Sequence, residues 1–328
     1  MRPATTPLTR PITPDEVNTF WNCGVVLLRG VFDLRSVNGL RREIDMAVAT
    51  LQTSQSGYDF TKLTSAYEAR DQTTIAEHSG GQHDLVAIAD YMRQSGQPLM
   101  YDAVGPGAKG SFLVDTGTTA RIPGIRRFAV NGAAPEIAGA LLGAEEVRLF
   151  GDQIFVKEPG TRERTTFHQD ASYFDLEGNQ CLTMWIPVDP VKAEVGGMLY
   201  VRGSHRDPTL YAPNVFVSRT RLPGSEGPDI PDIEGNLDRF DVVSFDVEPG
   251  DVIVHHYRTI HGARGNLSRY QVRRAFSVRY CGDDIRGKTR PGVPRLLHLT
   301  KPITDGEPLA GHPDFPVVWR KSPSERAA

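Results

Sequence analysis

The 328-residue sequence predicts a mostly β protein with flanking helices, built around a jelly-roll barrel, and three observations carry that expectation. Short runs rich in β-branched and aromatic residues recur at close spacing between about residues 147 and 280. Turn signals such as Pro249-Gly250 separate them. No helical pattern alternates with them, which argues against a parallel doubly wound sheet. A barrel with helices packed outside is the simplest assembly.

The elements follow in order. Thr13 can cap a helix that starts at Pro14, with Glu16 reaching back as a capping box, and the helix ends near Asn22. The run 24–29 (GVVLLR) reads as a buried strand. Asp33 then caps a longer helix that puts Leu34, Val37, Leu40, Ile44, Ala47 and Leu51 on one face. Residues 52–131 lack clean periodicity; they carry the glycine clusters at 80–81 and 105–107 and one short helical pattern at 83–93. A helix over 135–142 closes on Gly143. Strands are expected at 147–156, 165–168, 181–188, 197–201, 242–247, 251–257 and 271–280, with 222–239 as an inserted loop. The organisation expected is a single domain over 1–328, comprising a helical elaboration to about 145, a β core over 146–282 and a tail over 283–328.

Composition narrows the function classes. The 37 basic and 40 acidic residues give a net charge of -3, which provides no footprint for a nucleic acid or an anionic membrane, and the partner expected is a small molecule. The sequence leaves the oligomeric state open. Cys23, Cys181 and Cys281 are odd in number and widely spaced, so they suggest neither a disulfide framework nor a cysteine zinc site. The first residues lack the apolar run of a secretory signal, and a cytoplasmic location is expected.

The chemistry centres on Phe167-His168-Gln169-Asp170. In an extended chain residues two apart share a face, so His168 and Asp170 project together. Two imidazoles and one carboxylate on one face of a ferrous ion leave three positions open, and this pair would supply two of the three ligands. His-x-Asp alone arises often by chance, mostly at the ends of surface strands. A second histidine must come from elsewhere, and His255, His256 and His261 compete; His255 and His261 are an even number of residues apart, so periodicity does not separate them. Arg273, on the following strand, suits the free carboxylate of a chelating dicarboxylate, because its planar fork donates two parallel hydrogen bonds. Ser277 is in phase with it and could add a hydroxyl donor. Arg274 and Arg279 read as ordinary exposed strand arginines.

The runs HQD (168–170), CLTMWIPVDP (181–190), GGMLYVRGSHR (196–206), GDVIVHHYRTIHGARGN (250–266) and VRRAFSVRY (272–280) together resemble the phytanoyl-CoA dioxygenase superfamily of Fe(II)/2-oxoglutarate enzymes. The resemblance implies a double-stranded β-helix (cupin-like) core, iron ligands at His168, Asp170 and His261, and a 2-oxoglutarate salt bridge at Arg273. It also implies that Gln169 and Trp185 line the co-substrate pocket, that Lys157 lies on the approach to it, and that His205 is structural. The implied activity consumes Fe(II), 2-oxoglutarate and dioxygen to oxidise a C–H bond, yielding succinate. Halogenating relatives have a small residue in place of the carboxylate, so Asp170 favours hydroxylation or another oxidation.

Two other classes remain. A non-catalytic jelly-roll binding module would leave both ligands and the in-phase arginine unexplained, and a zinc hydrolase would leave Arg273 without a purpose. An acyl-CoA substrate finds no dense basic patch for the nucleotide phosphates. Phe155, Tyr173 and Phe174 are candidates to wall an apolar substrate pocket, and Arg162 and Arg164 candidates to meet an anionic one. Residues 52–131 and 206–240 are expected to form the lid.

Overall fold

The computed structural model describes residues 8–51, 54, 56–69, 85–105, 107–293, 296 and 299–322. Helix α1 (Pro14–Cys23) starts with the expected reciprocal cap between Thr13 and Glu16 and ends at Gly24, whose φ of 74° is the left-handed conformation that glycine adopts without strain. Strand β1 (Val25–Leu28) follows, then α2 (Leu34–Ala49), capped by Asp33. Val37, Leu40, Ile44 and Ala47 are buried as the periodicity requires, and Leu51 beyond the helix is buried too. Leu34 is 60% exposed, because it sits next to the cap, before the packed turns begin.

Residues 57–131 contain more order than their pattern suggests. Strand β2 (Gly57–Asp59) leads into α3 (Phe60–Glu68), which Asp59 caps, and α4 (Leu85–Ser95) realises the short helical pattern. Strand β3 (Phe112–Thr116), α5 (Thr118–Arg121) and α6 (Pro123–Asn131) complete the stretch. The glycine pair at 80–81 lies outside the described residues. Helix α7 (Ala133–Leu142) ends, as expected, on left-handed Gly143.

The β core begins with β4 (Glu146–Lys157), β5 (Thr165–His168), β6 (Leu176–Glu177), β7 (Cys181–Pro187) and β8 (Met198–Val201). It continues with β9 (Val242–Val243), β10 (Val252–His256), β11 (His261–Ala263) and β12 (Arg273–Cys281). Beyond it, β13 (Arg286–Gly287) pairs with β6 and β14 (Val317–Arg320) with β4, two pairings that local pattern did not announce. The larger sheet runs β1-β10-β7-β12-β4-β3-β2, and the smaller one β5-β11-β8-β9. Every pairing is antiparallel.

Two expectations change. The strand expected at 242–247 is reduced to Val242–Val243, because Val247 leaves that sheet to bridge Val191. The strand expected at 251–257 stops at His256, and His261 does not stand at its end: the chain crosses to the smaller sheet, where β11 begins.

Strand alternation sorts the side chains into two compartments. Met184, Val254, Phe276 and Val278 face outward and pack with Val37, Ile44 and Ile137 of the helices. Trp185, Ile253 and Ala275 face inward and meet Met198, Tyr200 and Ala263 from the smaller sheet. The inward compartment holds the polar residues discussed below. Phe276 is fully buried and meets the ring of Phe128 edge-on at 6.2 Å. Phe276→Ala is expected to lower unfolding free energy by about 3–5 kcal/mol in urea titration. A loss under 1 kcal/mol would mean that the helices do not depend on this face.

Candidate metal centre

His168 closes β5 and is the direct cross-strand partner of His261 in β11, which brings their ring centroids to 4.3 Å. Strand β5 ends there, but Gln169 keeps extended backbone angles before Asp170 opens a single 3-10 turn, so the alternation that aims Asp170 alongside His168 persists past the strand. One potential ligand atom from each of His168, Asp170 and His261 lies within 4.8 Å of the other two, and all three residues are buried.

Both imidazoles are oriented by their own strands. Nδ1 of His168 lies 2.8 Å from the Thr166 carbonyl and Nδ1 of His261 lies 2.9 Å from that of Thr259. A proton on Nδ1 satisfies each carbonyl and leaves the Nε2 lone pair directed at Asp170, 3.9 Å from Oδ1 in both cases. Burial holds His168 at a pKa of about 3 and His261 at about 4, so both rings are neutral at pH 7.

The other oxygen of Asp170 is already engaged. Thr183 Oγ1 donates to Oδ2 at 2.5 Å, and Nε2 of His255 stands 3.4 Å from the same atom. Burial alone would raise the Asp170 carboxyl, but Arg279, His255 and His261 outweigh it and hold the group well below its usual range. His255 therefore backs the carboxylate and packs 4.2 Å from the His261 ring, whereas His256 is tied to the Asn179 carbonyl and His205 to that of Trp21.

Arg279 corrects an expectation. It is not an exposed strand arginine: it is 6% accessible, lines the cavity and reaches to 3.9 Å from Asp170 Oδ1. Six residues separate it from Arg273, an even offset that puts both on the inward face; the signal was present in the sequence parity. Arg274 does face outward, gripping Asp189 and Asp45.

Arg273 is 2% accessible and its guanidinium lies 5.6 Å from the Trp185 ring. No acidic group stands within ion-pair distance of it among the described residues, and its Nε has no hydrogen-bond partner. Burial lowers its pKa to about 10, still charged at neutral pH. Gly196, at φ 73°, lies against it: a Cβ there would stand 3.0 Å from Nε. Lys157, its cross-strand partner, is fully buried and donates to the carbonyls of Glu163 and Arg264 at 2.8 Å. Burial, followed by Arg273, draws its ammonium well below its ordinary value. The hydroxyl of inward-facing Tyr200, a residue that the sequence did not single out, is buried without a partner.

Trp185, Ser277 and Phe155 line the same cavity, together with Thr183, Met198 and Phe216, which sequence reasoning missed. Gln169 is not part of this lining: its amide bridges the backbone of Thr209, Tyr211 and Arg258. Tyr173 meets the His168 ring at 5.5 Å and fixes Asn214 through its hydroxyl, and Phe174 packs on Phe150 beneath Arg279. Arg162 pairs with Glu68 and covers the Tyr101 ring, and Arg164 stands 3.5 Å from Asp102, so neither lines the cavity.

Residues 21–275 match the model of a family described as phytanoyl-CoA dioxygenase (PhyH). A phytanoyl-CoA dioxygenase of Arabidopsis thaliana is 23% identical over 279 residues, covering 84% of this chain and 91% of that one. The non-haem α-ketoglutarate-dependent carbocyclase SnoK of nogalamycin biosynthesis aligns with a TM-score of 0.60 at 23% identity, over 96% of this chain and 100% of the other. The epimerase SnoN of the same biosynthesis gives 0.60 at 20% identity, over 93% and 98%. EctD from S. alaskensis, solved with 2-oxoglutarate and 5-hydroxyectoine, gives 0.53 at 17%, over 85% and 83%. At these identities the structural likeness is one of fold, and it bears out the jelly-roll core.

The buried histidines set a pH dependence. His168, His256 and His261 have folded pKa values of about 3, 3 and 4, and His255 is also lowered from 6.5, each mainly by burial. As pH falls below 6.5 the unfolded chain takes up protons that the folded chain refuses, so stability present above 6.5 is lost progressively toward pH 4. The unfolding free energy of metal-free protein, from urea titration, is expected to fall between pH 7 and 5, by about 1.4 kcal/mol per unit for each histidine in that window. A flat profile would contradict this burial.

Proposed function

Because the chain belongs to the phytanoyl-CoA dioxygenase family, as an Fe(II)/2-oxoglutarate-dependent oxygenase, we propose that it hydroxylates a C–H bond of a small-molecule metabolite with His168, Asp170 and His261 as iron ligands. One observation carries the reading. Three buried ligand atoms converge in a cavity that also contains the buried guanidinium of Arg273, which has no acid within ion-pair distance among the described residues. A non-catalytic barrel has no reason to bury Arg273 uncompensated, since an unpaired charge in the interior is costly.

The residues present fit the group that the family implies. His168 and His261 offer neutral Nε2 atoms, and Asp170 offers Oδ1 because Thr183 donates to Oδ2 and His255 stands 3.4 Å from it, a two-nitrogen, one-oxygen set suited to ferrous ion. Arg273 would take the distal carboxylate of 2-oxoglutarate, with Trp185 against its guanidinium and Ser277 as a further donor from the same inward face. Lys157, held by two carbonyls, contributes a buried amine at that end. When bound, iron with 2-oxoglutarate and dioxygen supplies oxidation of the C–H bond coupled to decarboxylation to succinate and carbon dioxide.

This chain's work is then to orient the substrate and exclude water. Phe216, from the loop, lies 4.9 Å from the His168 ring and 5.8 Å from Phe60 of α3. Leu63, Met92, Val114, Val215 and Val217 form one apolar cluster with Phe155 against it, which supports 52–131 and 206–240 as the cover that selects the substrate. The enzymes named SnoK and SnoN are a carbocyclase and an epimerase, so this fold carries more than one reaction. Among the described residues no helix is long and apolar enough to cross a membrane.

Anaerobic addition of Fe(II) and 2-oxoglutarate is expected to produce the weak visible band of the chelate. His261→Ala should abolish iron retention, whereas His255→Ala should weaken it only about 10–100-fold, as expected for a residue backing a ligand. The opposite ranking would move the third ligand to His255. Arg273→Lys should raise the apparent KM for 2-oxoglutarate at least about tenfold and leave iron affinity unchanged, because a point charge replaces a two-pronged donor. Unchanged KM would remove Arg273 from the co-substrate site. Succinate production across a metabolite library tests the class and finds the substrate.

A further inference from the structure

Arg279 helps to hold Asp170 ionised, but the proposed oxygenase chemistry gives it no ligand of its own. Its side chain is 7% accessible, Nε has no hydrogen-bond partner among the described residues, Nη2 donates to Gln153 Oε1, and the carboxylate of Asp170 is no nearer than 3.9 Å. The charges of the loaded centre balance without it. The two charges of ferrous iron and that of Arg273 would be matched by Asp170 and the two carboxylates of 2-oxoglutarate, so Arg279 shares Asp170, 3.9 Å away, with the metal and has no carboxylate to itself.

Space for a counter-charge lies beside it. Arg279 pairs across the sheet with Gly151 of β4, at a register shift between Arg279 and Tyr280. A Cβ built on Gly151 meets no atom within 4 Å, so the inward face opposite the guanidinium is open. The inward residues of β4 there, Gly151, Gln153 and Phe155, are all partly exposed, whereas neighbouring Ser277, Thr183 and His255 are buried. Arg279 and Phe155 line the cavity, and Gly151 and Gln153 stand beside them as partly accessible residues of β4.

Resting on the oxygenase reading, we propose that the substrate carries a carboxylate that docks on Arg279 and Gln153 over Gly151, beside the metal centre. The planar fork of Arg279 matches a carboxylate, and Gln153, whose oxygen already accepts from Arg279, keeps its amide N–H groups for the same anion. The remainder of the substrate lies toward Phe155 and Phe216, so the class is an organic acid with an apolar body.

The test titrates anaerobic protein loaded with Fe(II) and 2-oxoglutarate with matched pairs of acid and methyl ester, butyrate and methyl butyrate, benzoate and methyl benzoate. The visible band and calorimetry are read in parallel. At least one acid should bind saturably and at least about tenfold more tightly than its ester. Arg279→Gln should bring the acid-to-ester ratio to about one. Gly151→Leu, which fills the open space without touching the metal ligands, should do the same with the band of the chelate retained, and it decides the matter if Arg279→Gln fails to fold. Equal binding of acid and ester, saturation by no acid, or a ratio unchanged in Gly151→Leu would overturn the proposal. Loss of the band in Arg279→Gln alone would assign Arg279 to 2-oxoglutarate, which also overturns it. Absence of the band in the unsubstituted protein would instead sink the oxygenase reading itself.

Discussion

The cross-strand pairing of His168 with His261 is the contact on which the rest of the site depends. It joins β5 to β11 in the smaller sheet, faces both imidazoles inward and lets each strand's own carbonyl orient its ring. A one-residue slip in that register would turn one imidazole out of the cavity. The pairing is protected from both sides, by Tyr200 on β8 next to β11 and by Phe216 over His168.

The larger sheet supplies what the smaller one lacks. Its outward face is apolar and packed under helices, which frees its inward face to hold polar residues at a cost the outer core can offset. Three adjacent strands contribute one layer, His255, Thr183 and Arg279, directly opposite one another, and Asp170 is received between them. One layer further along stand Trp185 and Ser277, and beyond them Arg273 and Lys157. The cavity is thus a sequence of layers, with the proposed metal ligands beside His255, Thr183 and Arg279 at one level and Arg273 with Lys157 at another.

Much of this was legible. Caps at Thr13 and Asp33, left-handed Gly143 and the strong β4, β5, β7, β10 and β12 patterns are local signals, and local structure obeyed them. Apart from the helix at Leu85–Ser95, the described part of 57–131 was not legible, because β2 and β3 form as additions to the edge of a sheet whose other members lie far along the chain. Gln169 was misplaced for a related reason: a side chain between two inward-facing residues points elsewhere, and here it meets the loop at 209–211.

The sequence by itself determined the outward and inward faces of each strand, and with them the sharing of one face by His168 and Asp170 and by Arg273, Ser277 and Arg279, since a period of two is a property of the extended chain. Only the tertiary structure places His255 and His261 in different sheets. They are even in spacing, but the chain leaves one sheet at His256 and enters the other at His261, so parity does not carry across the break. It also decided that Arg279 is buried, because exposure depends on what packs across the barrel, and no local pattern encodes it.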